Sequence, residues 1–173
     1  MRFRLLVGAF ALSLFTVAHA EQTIRTAELD RVLESAQAAI NDGDYDTAFE
    51  LYNRAARWGE KGAQYVLGHL YLQGAGVDKD PVTGAAWLQA AAEAPVREYR
   101  SDAKDAMKAL DDRQKAEADQ LAQRIISNFG MDAANVRCKR EHRVGSNIKQ
   151  INCRHDNLTA GGLIVVPADT DLS

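Results

Sequence analysis

Two cysteines and two histidines near the C-terminus are the residues whose types and spacing suggest chemistry. Cys138 and Cys153 are 15 positions apart, and His142 and His155 follow them by four and two positions. These four side chains are possible zinc ligands, because thiolate and imidazole both suit that metal. In an oxidising compartment the cysteines would form a disulfide instead, which would stabilise the segment by about 3 kcal/mol. We predict the disulfide and no metal site, with zinc as the alternative.

The same C-terminal segment is basic. Its cations are Arg137, Lys139, Arg140, Arg143, Lys149 and Arg154, and Glu141 is the only acid between them. Such a cluster could bind an acidic protein or an anionic polymer, or could be only a solvated surface. The whole chain has 21 basic and 24 acidic residues, a net charge of −3. We expect no nucleic-acid partner, because nucleic-acid binders usually carry a clearly basic domain.

The remaining motifs do not indicate an enzyme. Asp42, Asp44 and Asp46 are spaced like the start of a calcium loop, but the sixth position is Thr47 and the twelfth is Asn53, so helix capping explains them better. The chain has no Gly-x-Ser-x-Gly, His-Glu-x-x-His or Walker motif. We therefore predict a protein that is not an enzyme, with no catalytic residue and no cofactor.

Helical periodicity extends over most of the chain, from Ile24 to Gly130. Helix starts and stops are indicated by Asp80-Pro81, which suits a cap followed by the first helical residue, and by Gly59, which suits a left-handed cap. The pattern predicts helices over about 29–40, 44–58, 61–73 and 81–94, and two more between Arg97 and Asn128 that meet at Asp111-Asp112.

An internal repeat decides how these helices are arranged. The segment that begins at Asp44 matches the segment that begins at Asp80 at a constant offset of 36, with small residues and aromatic residues at corresponding places. A constant offset of this length is typical of stacked helical hairpins, in which Ala and Gly let helices approach and aromatic side chains fill the space between them.

A known family matches this pattern. The segment Ala63-Gln64-Tyr65-x-Leu67-Gly68-x-Leu70-Tyr71-x-x-Gly74-x-Gly76-Val77-x-x-Asp80, continued by Trp87 and Ala91-Ala92, closely resembles a Sel1-like repeat, a relative of the tetratricopeptide repeat. The resemblance covers residues 44–94. Two positions depart from it, because Gly84 stands where the family usually has Ala and Ala90 where it usually has a basic residue.

The helical period disappears after Asn135. Apolar and β-branched residues on either side of Gly145-Ser146-Asn147 predict a β-hairpin that contains both cysteines. The segment resembles short basic two-cysteine modules of exported bacterial proteins, from which no defined activity can be transferred. Residues 163–166 could add a third strand or lie extended across the helices.

The first twenty residues predict export. Arg2 and Arg4 precede an apolar run over 5–17, and Ala18-His19-Ala20 has the small residues of a signal-peptidase site. The run is shorter than the roughly 20 apolar residues that span a bilayer, so we expect cleavage and no stable membrane insertion. Removal of 20 residues and two arginines leaves 153 residues with a net charge of −5, in the periplasm or secreted.

The predicted fold is mainly α, an α/α helical-hairpin solenoid of the Sel1 and tetratricopeptide type with a small disulfide-closed β-hairpin at its C-terminus. The expected parts are a signal peptide over 1–20, a helical repeat domain with capping helices over 21–130 and a basic hairpin tail over 131–173. Because two repeats are few, either the extra helices or self-association must complete the core.

The resemblance implies a protein-protein adaptor, here one of the cell envelope. The residues that we expect to contact a partner are Tyr65, His69, Leu72 and Gln73 on the outward face of the third helix, and Arg140, Arg143 and Lys149 in the hairpin. The alternatives are a binder of anionic envelope polymers that acts through the hairpin, and an immunity or inhibitor protein for a secreted toxin.

Overall fold

The computed structural model describes residues 27–142 and 149–155. The predicted signal peptide, Arg143 and residues 163–166 lie outside these ranges. Within them the chain forms six helices and a two-stranded sheet, and the predicted helical order is confirmed. The elements are α1 (27–42), α2 (Tyr45–Arg57), α3 (Lys61–Gln73), α4 (Pro81–Ala91), α5 (Arg97–Ala109), α6 (Asp112–Phe129), β1 (Val136–His142) and β2 (Lys149–His155).

Aspartates begin the helices at equivalent positions of the repeat. The Asp44 carboxylate accepts a hydrogen bond from the Thr47 amide at 3.2 Å. Asp80 accepts from the amides of Val82 and Thr83 at 3.0 Å each, and from the Thr83 hydroxyl at 2.6 Å. Side-chain oxygens at this position satisfy amides that have no partner within the helix. The acids that mimic a calcium loop therefore include a helix cap, as predicted.

Helix α4 lies at the centre of the stack, packed against α3, α5 and α6. A helix that is apolar on all sides is stable only when neighbours surround it. Its buried residues are Gly84, Ala85, Ala86, Trp87, Leu88, Ala90 and Ala91. The Trp87 ring stacks on Phe129 of α6 with a centroid distance of 6.1 Å. The helices that follow the repeat therefore complete its core.

Two glycines allow α3 and α4 to cross closely. A Cβ atom added to Gly68 would lie 2.7 Å from Cγ of Leu88 and 3.0 Å from the Gly84 carbonyl oxygen. A Cβ atom added to Gly84 would lie 2.8 Å from the Gly68 carbonyl oxygen. The departure at Gly84 from the usual alanine thus has a packing reason, since a methyl group would push the two backbones apart.

A buried lysine at the start of α3 is hydrogen-bonded to the C-terminal end of α4. The side chain of Lys61, at the start of α3, is 1% exposed. Its Nζ donates to Gln64 Oε1 at 2.9 Å, to the Ala90 carbonyl at 3.1 Å and to Glu93 Oε2 at 2.8 Å. Burial lowers the pKa of Lys61, and the hydrogen bond and charge of Glu93 oppose this shift.

The partners of Lys61 extend this network. Gln64 Nε2 donates to the carbonyls of Ala56 at 3.0 Å and Phe129 at 2.8 Å, at the ends of α2 and α6. Glu93 Oε2 also accepts from the Met131 amide at 3.0 Å. Carbonyls at a helix end lack partners within the helix. This polar network therefore fixes α2, α4 and α6 relative to one another.

The C-terminal strands form an antiparallel hairpin in which Cys138 is the register partner of Cys153. The two cysteines form a disulfide, as predicted. The base of the hairpin lies against the loop between α2 and α3. There Gly59, with φ of +83°, packs so closely against Ala134 that a Cβ atom would not fit. On β2, His155 Nδ1 lies 2.9 Å from the Ala134 carbonyl oxygen. The hairpin is thus joined to the helical repeat at its base.

In the part of the chain that the structure describes, no helix has both the length and the apolar character needed to cross a membrane.

Candidate functional site

The predicted contact residues of α3 meet α5. Tyr65 and His69 are four residues apart, so they share one face of α3. The Tyr65 hydroxyl donates to Asp102 Oδ2 at 2.7 Å and lies 3.5 Å from Glu98 Oε1. His69 Nε2 lies 3.2 Å from the same oxygen of Asp102. One carboxylate of α5 thus joins two side chains of α3.

Aromatic contacts hold Tyr65 in place. Its ring stacks on Tyr99 of α5 with centroids 4.4 Å apart, and the edge contact with the ring of His69 has a centroid distance of 4.6 Å. Such pairs prefer these offset and edge-on geometries. We call this group the Tyr65 cluster; its members are Tyr65, His69, Glu98, Tyr99 and Asp102.

Acidic neighbours set the electrostatics of the Tyr65 cluster. Burial raises the pKa of Tyr65 well above its ordinary value, and the hydrogen bond to Asp102 and the charges of Asp102 and Glu98 add to this. Burial, Glu60 and Glu98 likewise raise the pKa of Tyr99. Both phenols therefore keep their protons at neutral pH. Tyr65 acts as a hydrogen-bond donor beside the carboxylates of Asp102 and Glu98.

Leu72 and Gln73 continue the same side of α3 towards its C-terminus. Leu72 lines an open cleft of about 350 Å³ between α3, α4, α5 and α6. The other residues around this cleft are Lys79, Pro81, Ala106, Ala109, Leu110 and Gln114. Gln73 is exposed. The lining is mostly apolar, so the cleft suits an apolar group of a partner.

The structure refines the expectation that these residues point outward. Tyr65, His69 and Leu72 are half-buried, and only Gln73 of the four is exposed. The reason is that α5 lies beside α3 and covers part of this face. Their role in partner binding stays a prediction, now for a surface that α3 and α5 share.

Sequence reasoning missed the contribution of α5. Glu98, Tyr99 and Asp102 lie within the first of the two helices that were predicted after Arg97, and none of them was among the predicted contact residues. The signal that could have found them is the rule that the first helices of successive hairpins are neighbours. Applied to α5, this rule would have placed Tyr99 and Asp102 next to the predicted contact residues of α3.

The hairpin divides its basic residues between two faces, because side chains alternate along a strand. Arg137 and Lys139 lie on one face, and Arg140 shares the other face with Cys138. Lys149 is the register partner of His142. The residues that were predicted as one basic surface are therefore separated, and Arg143 lies outside the described residues.

The disulfide removes both thiolates that the zinc alternative requires. In residues 27–142 and 149–155, no group of three or more His, Cys, Asp or Glu side chains is placed to hold a metal ion. Of the two histidines, His155 instead faces the Ala134 carbonyl.

Comparison with known proteins identifies the helical part. The model of the Sel1 repeat family matches residues 42–59 and 62–95. No curated protein sequence matches the chain. A solved structure with 27% identity and a TM-score of 0.49 is a protective antigen present in uropathogenic Escherichia coli strains that displays an SLR fold. The alignment covers 52% of this chain and 20% of that chain, so it spans about a fifth of the relative. The predicted resemblance is confirmed, since residues 42–59 and 62–95 match the Sel1 repeat.

Proposed function

We propose that this protein is a non-enzymatic adaptor of the cell envelope that binds another protein through the surface shared by α3 and α5. Sel1 repeats are generally protein-interaction scaffolds. The observation that carries the proposal is the Tyr65 cluster, in which Tyr65 and His69 converge on Asp102 at 2.7 and 3.2 Å at a half-exposed position. Aromatic side chains with a polar end are typical anchors of protein interfaces.

The neighbouring cleft adds an apolar contact to this surface. Leu72 lines the cleft on the same side of α3 as Tyr65 and His69. An interface usually combines a few apolar or aromatic anchors with a polar rim. Gln73, the exposed residue that follows Leu72, suits such a rim. The partner that we propose therefore places an apolar group in the cleft and polar or basic groups at the Tyr65 cluster.

Export is part of the proposal. It is supported by the sequence of residues 1–20 and by the disulfide, which is the expected state of paired cysteines in an oxidising compartment. Self-association is not part of it, because α5 and α6 already bury α4. The inhibitor alternative has only the family resemblance behind it.

Capture of envelope proteins by the purified mature protein, residues 21–173, tests the proposal. The test variant combines Tyr65→Phe with His69→Leu, which removes the polar contacts to Asp102 while keeping similar volumes. Gln123→Arg on the exposed face of α6 is the control. We expect one protein to be captured by the wild type and by the control at low and high salt, and to be lost from the double variant. Equal capture by all three proteins would contradict the proposal.

A further inference from the structure

The exposed face of the hairpin carries an unusual pair of like charges. Arg137 and Arg154 are direct register partners on adjacent strands, and both are exposed. Lys139, two residues along β1, lies on the same face and is also exposed. We call Arg137 and Arg154 the arginine pair. Like charges that lie directly opposite each other destabilise a sheet, so the pair has an energetic cost for the hairpin.

Neither neighbouring carboxylate bridges the arginine pair. Arg137 Nη1 lies 3.1 Å from Asp132 Oδ1, and Arg154 Nη2 lies 3.8 Å from Glu141 Oε2. The Asp132 side chain is 98% exposed and that of Arg154 is 74% exposed. Exposed ion pairs of this kind contribute little and exchange readily with other anions. Each guanidinium can therefore turn from its carboxylate to an anion between the strands.

The disulfide fixes the spacing of the arginine pair. Cys138 follows Arg137, and Cys153 precedes Arg154, so the bridge joins the next register position. A covalent link there keeps the strands together in spite of the repulsion between the two cations. Since the two backbone positions are held next to each other, a ligand has only to reorient the two side chains.

We propose that the arginine pair, with Lys139, is a binding site for phosphate groups. Directly opposed residues have Cβ atoms about 4.5 to 5.5 Å apart, so two guanidinium groups can reach one phosphate. The planar guanidinium matches pairs of phosphate oxygens, and Lys139 supplies a third cation. A phosphate offers oxygens in three directions and up to two charges, whereas a carboxylate offers two oxygens in one plane. The proposal does not depend on partner binding by α3 and α5.

The test uses the oxidised mature protein, residues 21–173, and two sources of phosphate. One probe is inorganic tripolyphosphate in solution, and the other is vesicles of phosphatidylglycerol compared with vesicles of phosphatidylcholine. The variants are Arg137→Gln and Arg154→Gln. The matched control is Arg140→Gln, which removes the same charge from the opposite face of the same strand pair.

Each test variant should weaken binding of tripolyphosphate or of phosphatidylglycerol vesicles at least about fivefold, because each removes charge-assisted hydrogen bonds. The control should weaken it less than about twofold, since a more distant charge is screened by salt. Hairpin stability, followed by hydrogen exchange of β1, should not fall in Arg137→Gln, because that variant relieves the repulsion. Loss of binding by this variant would then result from the missing arginine and not from unfolding of the hairpin.

Binding of vesicles alone would identify a lipid headgroup as the source of the phosphate, and binding of tripolyphosphate would identify soluble phosphates; both support the site. Equal losses in all three variants would overturn it in favour of a diffuse basic surface. So would a wild-type protein that binds neither probe, or one that binds polyglutamate as tightly as tripolyphosphate.

Discussion

Lys61 is a cation at a position where the helix itself disfavours one. It is the first residue of α3, where the helix dipole presents partial positive charge. Its ammonium group is nevertheless buried, because Glu93, Gln64 and the Ala90 carbonyl satisfy all three of its donors. A buried charge is tolerated only when it is paired and hydrogen-bonded in this way. The side chain therefore specifies how α3 meets the end of α4.

Replacing this lysine tests its role. Lys61→Met should lower the free energy of unfolding by about 2 to 3 kcal/mol. The reason is that Glu93 loses its paired cation, and that Gln64 Oε1 and the Ala90 carbonyl oxygen lose a hydrogen-bond donor. Urea unfolding of both proteins at pH 7 measures this. Lys108→Met, which breaks an ion pair with side chains 63% and 64% exposed, should leave the midpoint unchanged. A change below about 0.5 kcal/mol for Lys61→Met would mean that the network does not stabilise the fold.

The contribution of Tyr65 to the free energy of unfolding should depend on pH in the alkaline range. The hydroxyl bond to Asp102 should make the wild type about 1 kcal/mol more stable than Tyr65→Phe at pH 7. The pKa of Tyr65 is raised from 10.0 by folding, so above pH 10 the unfolded state loses this proton first. Unfolding then releases a proton, and the stability that Tyr65 contributes falls as pH rises.

Urea unfolding of the wild type and Tyr65→Phe at pH 7, 9, 10 and 11 measures this difference. It should be constant up to about pH 9 and shrink above pH 10. Tyr45→Phe, at a side chain that is 46% exposed, serves as the control for general alkaline effects. A difference that stays constant or grows above pH 10 would contradict the contact between Tyr65 and Asp102.

At the scale of elements, the two capping aspartates offer a comparison between equivalent positions of the repeat. Asp80→Ala should cost about 1 to 2 kcal/mol, because it removes two bonds to backbone amides and one to the Thr83 hydroxyl. Asp44→Ala removes one longer bond and should cost less. Thermal unfolding of both variants measures the order, and the reverse order would show that the cap geometry does not control helix stability.

The hairpin depends on its disulfide more than the helices do. A two-stranded sheet is marginal by itself, and closing its loop contributes about 3 kcal/mol. Replacing Cys138 and Cys153 by serine should therefore speed hydrogen exchange in β1 and β2 while the far-ultraviolet circular dichroism of the helices stays the same. If the helical signal fell in parallel, the hairpin and the repeat would have to be one cooperative unit.

Most of the elements could be predicted from the sequence, because their signals are local. Apolar spacing, Asp80 with its following proline, and Gly59 determine where helices begin and end without reference to distant residues. The hairpin and its disulfide followed from the turn residues and the two cysteines. Such signals are present within a few residues of the features that they predict.

Contacts between distant elements could not be predicted in the same way. The Lys61 network joins residues 29 and 32 positions apart, and the arginine pair depends on strand register. From the sequence alone, a lysine in a helix is predicted to be exposed. Its burial can be recognised only when the positions of its hydrogen-bond partners at the neighbouring helix ends are known. The contacts of α5 with Tyr65 were missed for the same reason, because they depend on how one hairpin stacks on the next.

At the scale of the whole molecule, export predicts a defined mature form. Cleavage after Ala20 leaves 153 of the 173 residues, beginning with Glu21. Mass spectrometry of the protein from the periplasmic fraction should give the mass of this form with the cysteines oxidised. A full-length protein recovered from the cytosol with reduced cysteines would contradict both export and the expected state of the hairpin in the cell.

At this scale, the proposed partner surface lies on one side of the stack, and the outer face of α6 is exposed to solvent. That face is polar and charged, as expected for the terminal helix of a solenoid. The two sides carry exposed glutamines that are chemically identical, Gln73 on α3 and Gln123 on α6. They allow a direct comparison within the folded protein.

The most direct measurement is photo-crosslinking in living cells, with a photoreactive amino acid placed at Gln73 or at Gln123. Our account predicts a discrete protein adduct from position 73 and none from position 123. The adduct at 73 should disappear when Tyr65→Phe and His69→Leu are added. The same adduct from both positions, or no adduct from position 73, would contradict the claim that the surface shared by α3 and α5 binds a partner.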